Sequence, residues 1–257
     1  MWRPDGWDAR WRIGVLTPHA DVGPESELRA MAPPDVGIHT ARVSFGAMAA
    51  GGAMDPTIPL APVRAFAEPP SVDDAVELLA AAPLHAIGFG FTSSAYVLGA
   101  AAEDEMLERL RARAGGLPVV SPTAAAVTAL RGFGVERVAL VDPPWFDAEL
   151  NGLGRDYFRA ARFDVVFAGP AELPSEQRGI TPGALFEWVR KNVPPTAEAV
   201  SIGGNGFRAV GIIDALEAEL GRPILTANQV LLWAALRAAG ADLATVDGYG
   251  RLFSTQR

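Results

Sequence analysis

The sequence contains no cysteine and only three histidines among its 257 residues. The absence of cysteine excludes disulfide scaffolds, zinc–cysteine sites, iron–sulfur clusters and thiol nucleophiles. No two of the histidines, His19, His39 and His85, have a metal-ligand spacing such as i, i+4 on a helix. We therefore expect neither a metal site nor a cofactor.

Long apolar runs and an excess of positive charge are also missing. No apolar stretch approaches the roughly 20 residues that a membrane-spanning helix needs, and residues 1–12 lack the apolar region of a signal peptide. The formal net charge of -8 argues against nucleic acid or an anionic membrane as the partner. We expect a cytoplasmic protein that binds a small molecule.

The strongest positive signal is a faint internal duplication. Three segments recur in the same order in the two halves of the chain: 12–18 matches 137–143, 86–93 matches 199–206, and 116–121 matches 221–226. Each is a short apolar run that ends at a turn residue, which is typical of a parallel strand buried on both faces. Helical patterns lie between them, such as 209–220, which Gly221 ends.

This alternation of strands and helices predicts an α/β fold with parallel sheets in two similar lobes. We assign residues 1–120 with a returning segment 222–257 to the N-terminal lobe, and residues 121–221 to the second lobe. Ligands of such sheets bind beyond the carboxyl ends of the strands. Four loops are therefore candidates for a site in the cleft between the lobes: 18–21, 91–94, 143–146 and 203–208.

Two of these loops suit an anion. Thr92, Ser93 and Ser94 offer hydroxyls and free N–H groups at a helix start, although one of the serines could merely cap that helix. In the matching loop, glycines allow close approach to the backbone, and Asn205 offers a donor and an acceptor. Residues 204–209 also fit the dinucleotide pattern G-x-G-x-x-A, but the next strand ends without the acidic residue that would hold a ribose.

Each of the remaining candidate residues in these loops has two possible roles. Asp21, with His19, is a candidate general acid or base, or else caps a helix. Trp145 is a candidate aromatic wall of the cleft, or packs between the lobes. Arg208 is placed either to pair with a ligand carboxylate or to brace the lobes.

These residues resemble the aspartate/glutamate racemase superfamily, most closely its maleate cis-trans isomerase and arylmalonate decarboxylase branch. The resemblance covers nearly the whole chain and rests on Pro18, Arg42-Val43, Thr92-Ser93, the run 205–208, and the run 221–229 followed by Trp233. It implies two Rossmann-like lobes related by pseudo-twofold symmetry, with a ligand cleft between them. It also implies cofactor-free chemistry on a small carboxylate.

The chain departs from this family at the reactive positions. Phe91 and Gly204 stand where the isomerases and racemases have their two cysteines, Trp145 stands for a usual tyrosine, and Asp21 stands for a usual asparagine. The resemblance thus implies that the carboxylate-binding apparatus is kept, whereas racemisation or isomerisation through thiols is excluded.

We expect an isomerase, decarboxylase or lyase that acts on a small carboxylate without cysteine. Asp21, alone or together with His19, would move the proton. The expected substrate-binding residues are Thr92, Ser93, Ser94, Asn205, Gly206, Phe91, Gly204 and Trp145. The alternative is a non-catalytic carboxylate-binding or regulatory protein on the same fold. We also expect a homo-oligomer, a dimer or tetramer, in which Trp2, Trp7 and Trp11 form a strap or a subunit contact.

Overall fold

A computed structural model describes residues 5–255, which form two four-stranded parallel sheets. The first sheet has the order β2-β1-β3-β4 and consists of β1 (Trp11–Pro18), β2 (Val36–Val43), β3 (Ala86–Phe89) and β4 (Val119–Val120). The second has the order β6-β5-β7-β8 and consists of β5 (Arg137–Asp142), β6 (Asp164–Pro170), β7 (Ala199–Ile202) and β8 (Ile224–Thr226). The repeated order confirms the predicted α/β fold with two similar lobes.

Two of the three duplicated pairs contain the central strands of the sheets, β1 with β5 and β3 with β7, and the third pair contains the edge strands β4 and β8. In the first lobe Val15 of β1 pairs with Thr40 of β2 and Gly88 of β3. In the second lobe Leu140 of β5 pairs with Ser201 of β7. Their apolar side chains are inaccessible to solvent because helices cover both faces of each sheet, which explains why these strands are continuously apolar.

Eleven α-helices connect and cover the strands of the described chain. They are α1 (Gly23–Met31), α2 (Leu60–Ala67), α3 (Ser71–Ala80), α4 (Thr92–Leu98), α5 (Ala100–Arg113), α6 (Pro122–Gly132), α7 (Ala148–Ala160), α8 (Pro182–Asn192), α9 (Ile213–Leu220), α10 (Ala227–Ala239) and α11 (Leu252–Thr255). The predicted helix 209–220 is a 3-10 turn (Val210–Ile212) followed by α9, and Gly221 ends α9 in the left-handed conformation as expected. None of the helices within residues 5–255 is long and apolar enough to cross a membrane.

The last strand and the last long helix lie in different lobes. β8 is hydrogen bonded to β7 and completes the second sheet. α10 then crosses back and packs on β3 of the first lobe and on α6. The predicted returning segment 222–257 is therefore divided between the lobes, with β8 on the second sheet and α10 on the first. The division of the chain into domains itself stays a prediction.

Of the three N-terminal tryptophans, the structure describes Trp7 and Trp11, which have different environments. Trp2 lies outside the described residues. Trp7 is 81% exposed, whereas Trp11 begins β1 and packs edge-on against His85, with ring centroids 5.1 Å apart. The predicted subunit contact and oligomeric state stay predictions.

Candidate active site

A small cavity lies between the lobes at the carboxyl ends of both sheets. All four loops predicted from the sequence contribute to it, through residues at 18–21, 91–93, 145–146 and 204–206. Its volume of about 20 Å³ has room for little more than one water molecule. The structure thus brings the predicted loops together around a closed space.

Two segments that follow the second strand of each sheet close this space. Residues 44–59, the first cover segment, place Phe45, Met48, Met54 and Ile58 against the cavity. Residues 171–181, the second cover segment, place Gln177 there. The two segments meet where Ser175 Oγ donates a hydrogen bond to the Pro56 carbonyl oxygen at 2.7 Å. A ligand larger than water therefore has to displace part of this cover.

Asp21 supplies the only titratable side chain among the described residues that line the cavity. It lies on the loop between β1 and α1 and is 4% exposed. Burial raises the pKa of Asp21 to about 6, because desolvation disfavours the charged carboxylate. The Gly23 N–H, which donates to Oδ1 at 2.8 Å, the Gln177 amide and the Arg42 charge all oppose this rise. The carboxyl group is thus poised to exchange a proton near neutral pH.

Arg42 fastens the loop that carries Asp21. Its Nη1 donates to the backbone carbonyl oxygens of Asp21 (2.8 Å) and His19 (3.3 Å), and its Nη2 pairs with Glu25 Oε2 at 3.0 Å. The guanidinium group therefore fixes the backbone of the loop rather than pointing into the cavity, which it does not line.

His19 is exposed and does not line the cavity. Its Nδ1 accepts a hydrogen bond from the Phe45 N–H at 3.1 Å, so this ring nitrogen carries no proton. The side chain holds the start of the first cover segment. The ring does not line the cavity, and its predicted part in proton transfer beside Asp21 stays a prediction.

Thr92 and Asn205 line the cavity but are hydrogen bonded to each other. Asn205 Oδ1 accepts from both the backbone N–H (2.9 Å) and the hydroxyl (2.8 Å) of Thr92. The internal duplication pairs these two positions, and their bond joins the lobes. Their side chains therefore shape the floor of the site, and a ligand would compete with Asn205 for the Thr92 donors.

This bond continues into a buried network that crosses the lobes again. Asn205 Nδ2 donates to Asn228 Oδ1, and Asn228 Nδ2 donates to Glu27 Oε2, each at 2.8 Å. Glu27 Oε1 accepts the backbone N–H groups of Ala209 (2.7 Å) and Val210 (3.0 Å). Burial raises the pKa of Glu27, and these hydrogen bonds to its carboxylate partly offset the effect. We call Thr92, Asn205, Asn228 and Glu27 the interlobe network.

Ser93 and Ser94 have different environments. The Ser93 hydroxyl borders the cavity and has no hydrogen-bond partner within the described part of the chain. Its backbone N–H lies in the first turn of α4, where N–H groups lack intrahelical acceptors. Ser94 does not line the cavity, and its hydroxyl faces the Val63 carbonyl oxygen at 3.5 Å. Ser93 therefore offers free donors to a ligand, and Ser94 does not.

The two aromatic candidates belong to both the cavity wall and the core. Phe91 packs on Phe45 and Phe66, with ring centroids 4.9 and 4.3 Å apart. Trp145 packs edge-on against Phe207, and its carbonyl oxygen accepts the Ile58 N–H of the first cover segment at 3.0 Å. The Trp145 ring thus lies in the cavity wall and packs within its own lobe, while its backbone contacts the first lobe, and its part in ligand binding stays a prediction.

Two glycines allow the second lobe to approach the site closely. Gly204 has a φ of +80°, and a Cβ there would lie 2.5 Å from Pro143 Cγ. A Cβ on Gly206 would overlap the Gln177 amide nitrogen and lie 2.8 Å from Asp21 Oδ2. Asp21 of the first lobe thus reaches the backbone of the second, and a larger residue at 204 would strain the loop.

A second carboxyl group with a raised pKa lies beneath the site. Asp142, the last residue of β5, is fully buried, and burial raises its pKa to about 7. The Tyr96 hydroxyl donates to Oδ1 at 3.3 Å, and Oδ2 has no partner within the described residues. A Cβ on Gly203 would lie only 2.6 Å from Oδ1. Asp142 is thus covered by Gly203 and does not line the cavity.

Sequence reasoning did not identify several residues of the site. Glu27, Gln177 and the apolar side chains of the first cover segment carried no motif. A glutamate such as Glu27, in a helix that also has an apolar face, is only a weak indication of a buried functional residue. The sequence around Gln177 gave no indication of a site. Asn228 lies within the run 221–229 on which the family resemblance rests, so the resemblance alone pointed to it.

Comparison with known proteins agrees with this architecture. A family model described as arylmalonate decarboxylase matches residues 67–253. Arylmalonate decarboxylase from Bordetella bronchiseptica is 25% identical over 175 residues, which cover 63% of this chain and 68% of that protein.

Solved structures of maleate isomerase and of arylmalonate decarboxylase share the fold. Maleate isomerase Iso from Pseudomonas putida S16 superimposes with a TM-score of 0.84 at 19% identity, covering 96% of this chain and 99% of that chain. A structure of arylmalonate decarboxylase superimposes with a TM-score of 0.71 at 23% identity, covering 95% and 99%. Because the family model matches most of the sequence, the chain belongs to the arylmalonate decarboxylase family.

Proposed function

We propose that the protein is a cofactor-independent decarboxylase of small malonate-type carboxylates, in which Asp21 donates the proton to the product. The observation that carries the proposal is the placement of Asp21. It is the one titratable side chain on the cavity wall within residues 5–255, and its pKa is raised to about 6.

The protonation state of Asp21 suits this task. With a pKa of about 6, roughly a tenth of the group is protonated at pH 7, and a bound carboxylate nearby would raise that fraction through like-charge repulsion. The raised pKa also makes the acid form a weaker acid than a solvent-exposed aspartate. The group can therefore hold a proton beside the substrate and release it to a carbanion.

The donors for a substrate carboxylate are neutral. Ser93 contributes a free hydroxyl and a first-turn N–H group, and Thr92 contributes donors that Asn205 now accepts. Fixed donors of this kind stabilise the negative charge that develops on carboxylate oxygens, as in an oxyanion hole. The rest of the wall is mainly apolar, apart from the Gln177 amide and the glycine backbone, which favours a substrate with an apolar substituent and leaves the charge of the departing carboxylate unsolvated.

The reaction needs no further group. The bond between the reacting carbon and one carboxylate breaks, CO2 leaves, and the electron pair remains on the carbon and the second carboxylate as an enediolate. The proton of Asp21 then forms the new C–H bond, and Asp21 regains a proton from water. The Ser93 donors hold the enediolate oxygens during this transfer.

Isomerisation of an alkene is less suited to these residues. It requires transient loss of the double bond, and a maleate cis-trans isomerase from Nocardia farcinica has been solved with a covalently bound succinylcysteine intermediate. This chain has no thiol to add. The carboxylate of Asp21 is a much weaker nucleophile than a thiolate, whereas its protonated form can donate a proton.

The test is turnover of phenylmalonate by the purified chain, followed as phenylacetate formation in H2O and as deuterium incorporation in D2O. We expect the Asp21→Asn variant to lose turnover by about 100-fold or more while it still binds phenylmalonate, because general acid catalysis contributes about that much. Calorimetry measures the binding.

The matched control is Asp142→Asn, which removes a buried carboxyl group of raised pKa that does not border the cavity. Its turnover should stay within a few-fold of the wild type. Undiminished turnover in Asp21→Asn would contradict the assignment of the proton donor. Binding by the wild type without any product would contradict the proposed activity and favour the carboxylate-binding alternative.

A further inference from the structure

A much larger groove adjoins the closed cavity. It lies at the junction of the lobes, between α1 and the 3-10 turn before α9, and has a volume of about 570 Å³. Grooves that bind small molecules have volumes of roughly 300–1,000 Å³. The cavity that contains Asp21, at about 20 Å³, is far below this range. The space for most of a ligand is therefore in the groove.

The groove and the cavity share a wall. Gln177 and Gly206 line both spaces. Gly206 has no side chain, so the partition consists of its backbone and the Gln177 side chain from the second cover segment. Gln177 lies in a 3-10 turn that is not part of either sheet. A change of side-chain rotamer at this one residue would open the cavity towards the groove.

The groove carries positive charge that has no internal partner. Arg178 and Arg208 line it, both are exposed, and neither forms an ion pair or a side-chain hydrogen bond with any described residue. Glu27 also borders the groove, but both of its oxygens accept hydrogen bonds from the interlobe network and the backbone at 209 and 210. In a protein of net charge -8, this pair of arginines is a local site for an anion.

We propose that the groove binds the distal, anionic end of an elongated substrate whose reacting carboxylate lies in the cavity beside Asp21, with Gln177 as the partition that the substrate displaces. This inference rests on the proposed function, because the reacting end is placed in the cavity. It defines the substrate class as a malonate-type carboxylate that carries a further anionic group at some distance from the reacting carbon.

The test is a length series measured by calorimetry with the full chain. Straight-chain dicarboxylates from succinate to sebacate are each compared with the monocarboxylate of the same carbon number. Once the ligand is long enough to pass Gln177, the dicarboxylate should bind about tenfold more tightly than the monocarboxylate of the same carbon number. A charge-assisted hydrogen bond contributes about that factor. Shorter pairs should show no such gain.

Arginine variants identify the groove as the source of the gain. Arg178→Gln and Arg208→Gln should each reduce the advantage of the long dicarboxylates, and the double variant should abolish it, with monocarboxylate affinity unchanged. Arg64→Gln is the matched control, because Arg64 is an exposed arginine on α2, outside the groove, that also forms no ion pair with a described residue. It should leave the advantage intact.

Two failures are distinguishable. If monocarboxylates bind but the second carboxylate adds nothing at any length, or if the gain survives the double arginine variant, the groove does not bind the distal anion. If no carboxylate binds and phenylmalonate is not turned over, the site in the cavity is absent, and both proposals are overturned.

Discussion

The two lobes have the same topology, and each buries a carboxyl group at the carboxyl end of its sheet, yet the two groups are placed differently. Asp21 of the first lobe and Asp142 of the second have pKa values raised to about 6 and about 7, in both cases mainly by desolvation. Asp21 lies on a loop beyond β1 and borders the cavity, whereas Asp142 ends β5 and lies beneath Gly203.

This contrast shows that a raised pKa does not by itself mark a catalytic group. The duplication pairs Asp142 with Thr17, four positions before Asp21, so the carboxyl group of the second lobe lies within a strand and not on the loop that follows it. Access to the reacting atoms separates the two, since both share the same physical cause of the shift. The predictions below test this difference.

The largest expected effect on stability is that of Asp142→Asn. The folded protein holds the proton of Asp142 up to about pH 7, whereas the unfolded chain releases it near the ordinary pKa of 3.8. The free energy of unfolding therefore falls as the pH rises through this window, by up to roughly 4 kcal/mol. The asparagine variant should match the wild type below pH 4 and exceed it increasingly up to pH 8, as measured by urea denaturation.

The exposed Asp156 on α7 provides the control, and Asp156→Asn should change the free energy of unfolding only slightly. A difference between Asp142→Asn and the wild type that stays constant with pH would show that the Asp142 carboxyl group is not desolvated. Loss of turnover in Asp142→Asn would contradict the assignment of different functional roles to Asp21 and Asp142.

The next effect concerns the network that joins the lobes beside Asp21. Asn228→Ala removes a donor to Glu27 and to the Asn205 carbonyl oxygen, and leaves the buried Glu27 Oε2 without that partner. We expect a loss of roughly 3 kcal/mol in the free energy of unfolding, since a hydrogen bond to a buried charge is lost. Asn192→Ala, at an exposed helix end, should cost far less. Equal losses would mean that the network does not stabilise the lobes.

Gly204 and Phe91 stand at the positions that correspond to the two cysteines of the related isomerases and racemases. The backbone conformation at Gly204 differs from that at Phe91. Gly204→Ala places a Cβ at a φ of +80° and against Pro143, so we expect a loss of roughly 2 kcal/mol in the free energy of unfolding. Gly134→Ala has a similar φ of +67° but no atom within 4 Å of the new Cβ, and should lose about half as much. A smaller loss at 204 than at 134 would argue against the close contact with Pro143.

The smallest effect is on the pH dependence of turnover. Gln177→Leu removes a group that lowers the pKa of Asp21, so the limb on which turnover falls with rising pH should move upward, by at most about one pH unit. The pH profile of kcat measures this shift. Asp142→Asn should not move this limb of the profile. A shift in Asp142→Asn but not in Gln177→Leu would mean that Asp142, and not Asp21, controls the pH dependence of turnover.

Much of the fold followed from the sequence because its signals are local. The apolar runs at 12–18 and 137–143 predicted the central strands, and the order of the repeats predicted two similar lobes. The site was predicted less completely. The four loops were found because carboxyl ends of parallel strands gather at one edge of a sheet. Ser94 and His19 lie in those loops but face away from the cavity, since the direction of a side chain depends on what packs around it.

The sequence by itself determined the strands, the repeated topology, the absence of thiol chemistry and the set of loops at the cleft. Only the tertiary structure decided that Thr92 binds Asn205, 113 positions away, that Glu27 meets Asn228 across 201 positions, and that Gln177 separates cavity from groove. It also decided which buried carboxyl group borders the cavity. Strand patterns arise from neighbours along the chain, whereas these contacts and the desolvation of Asp21 arise only when the two lobes close on each other.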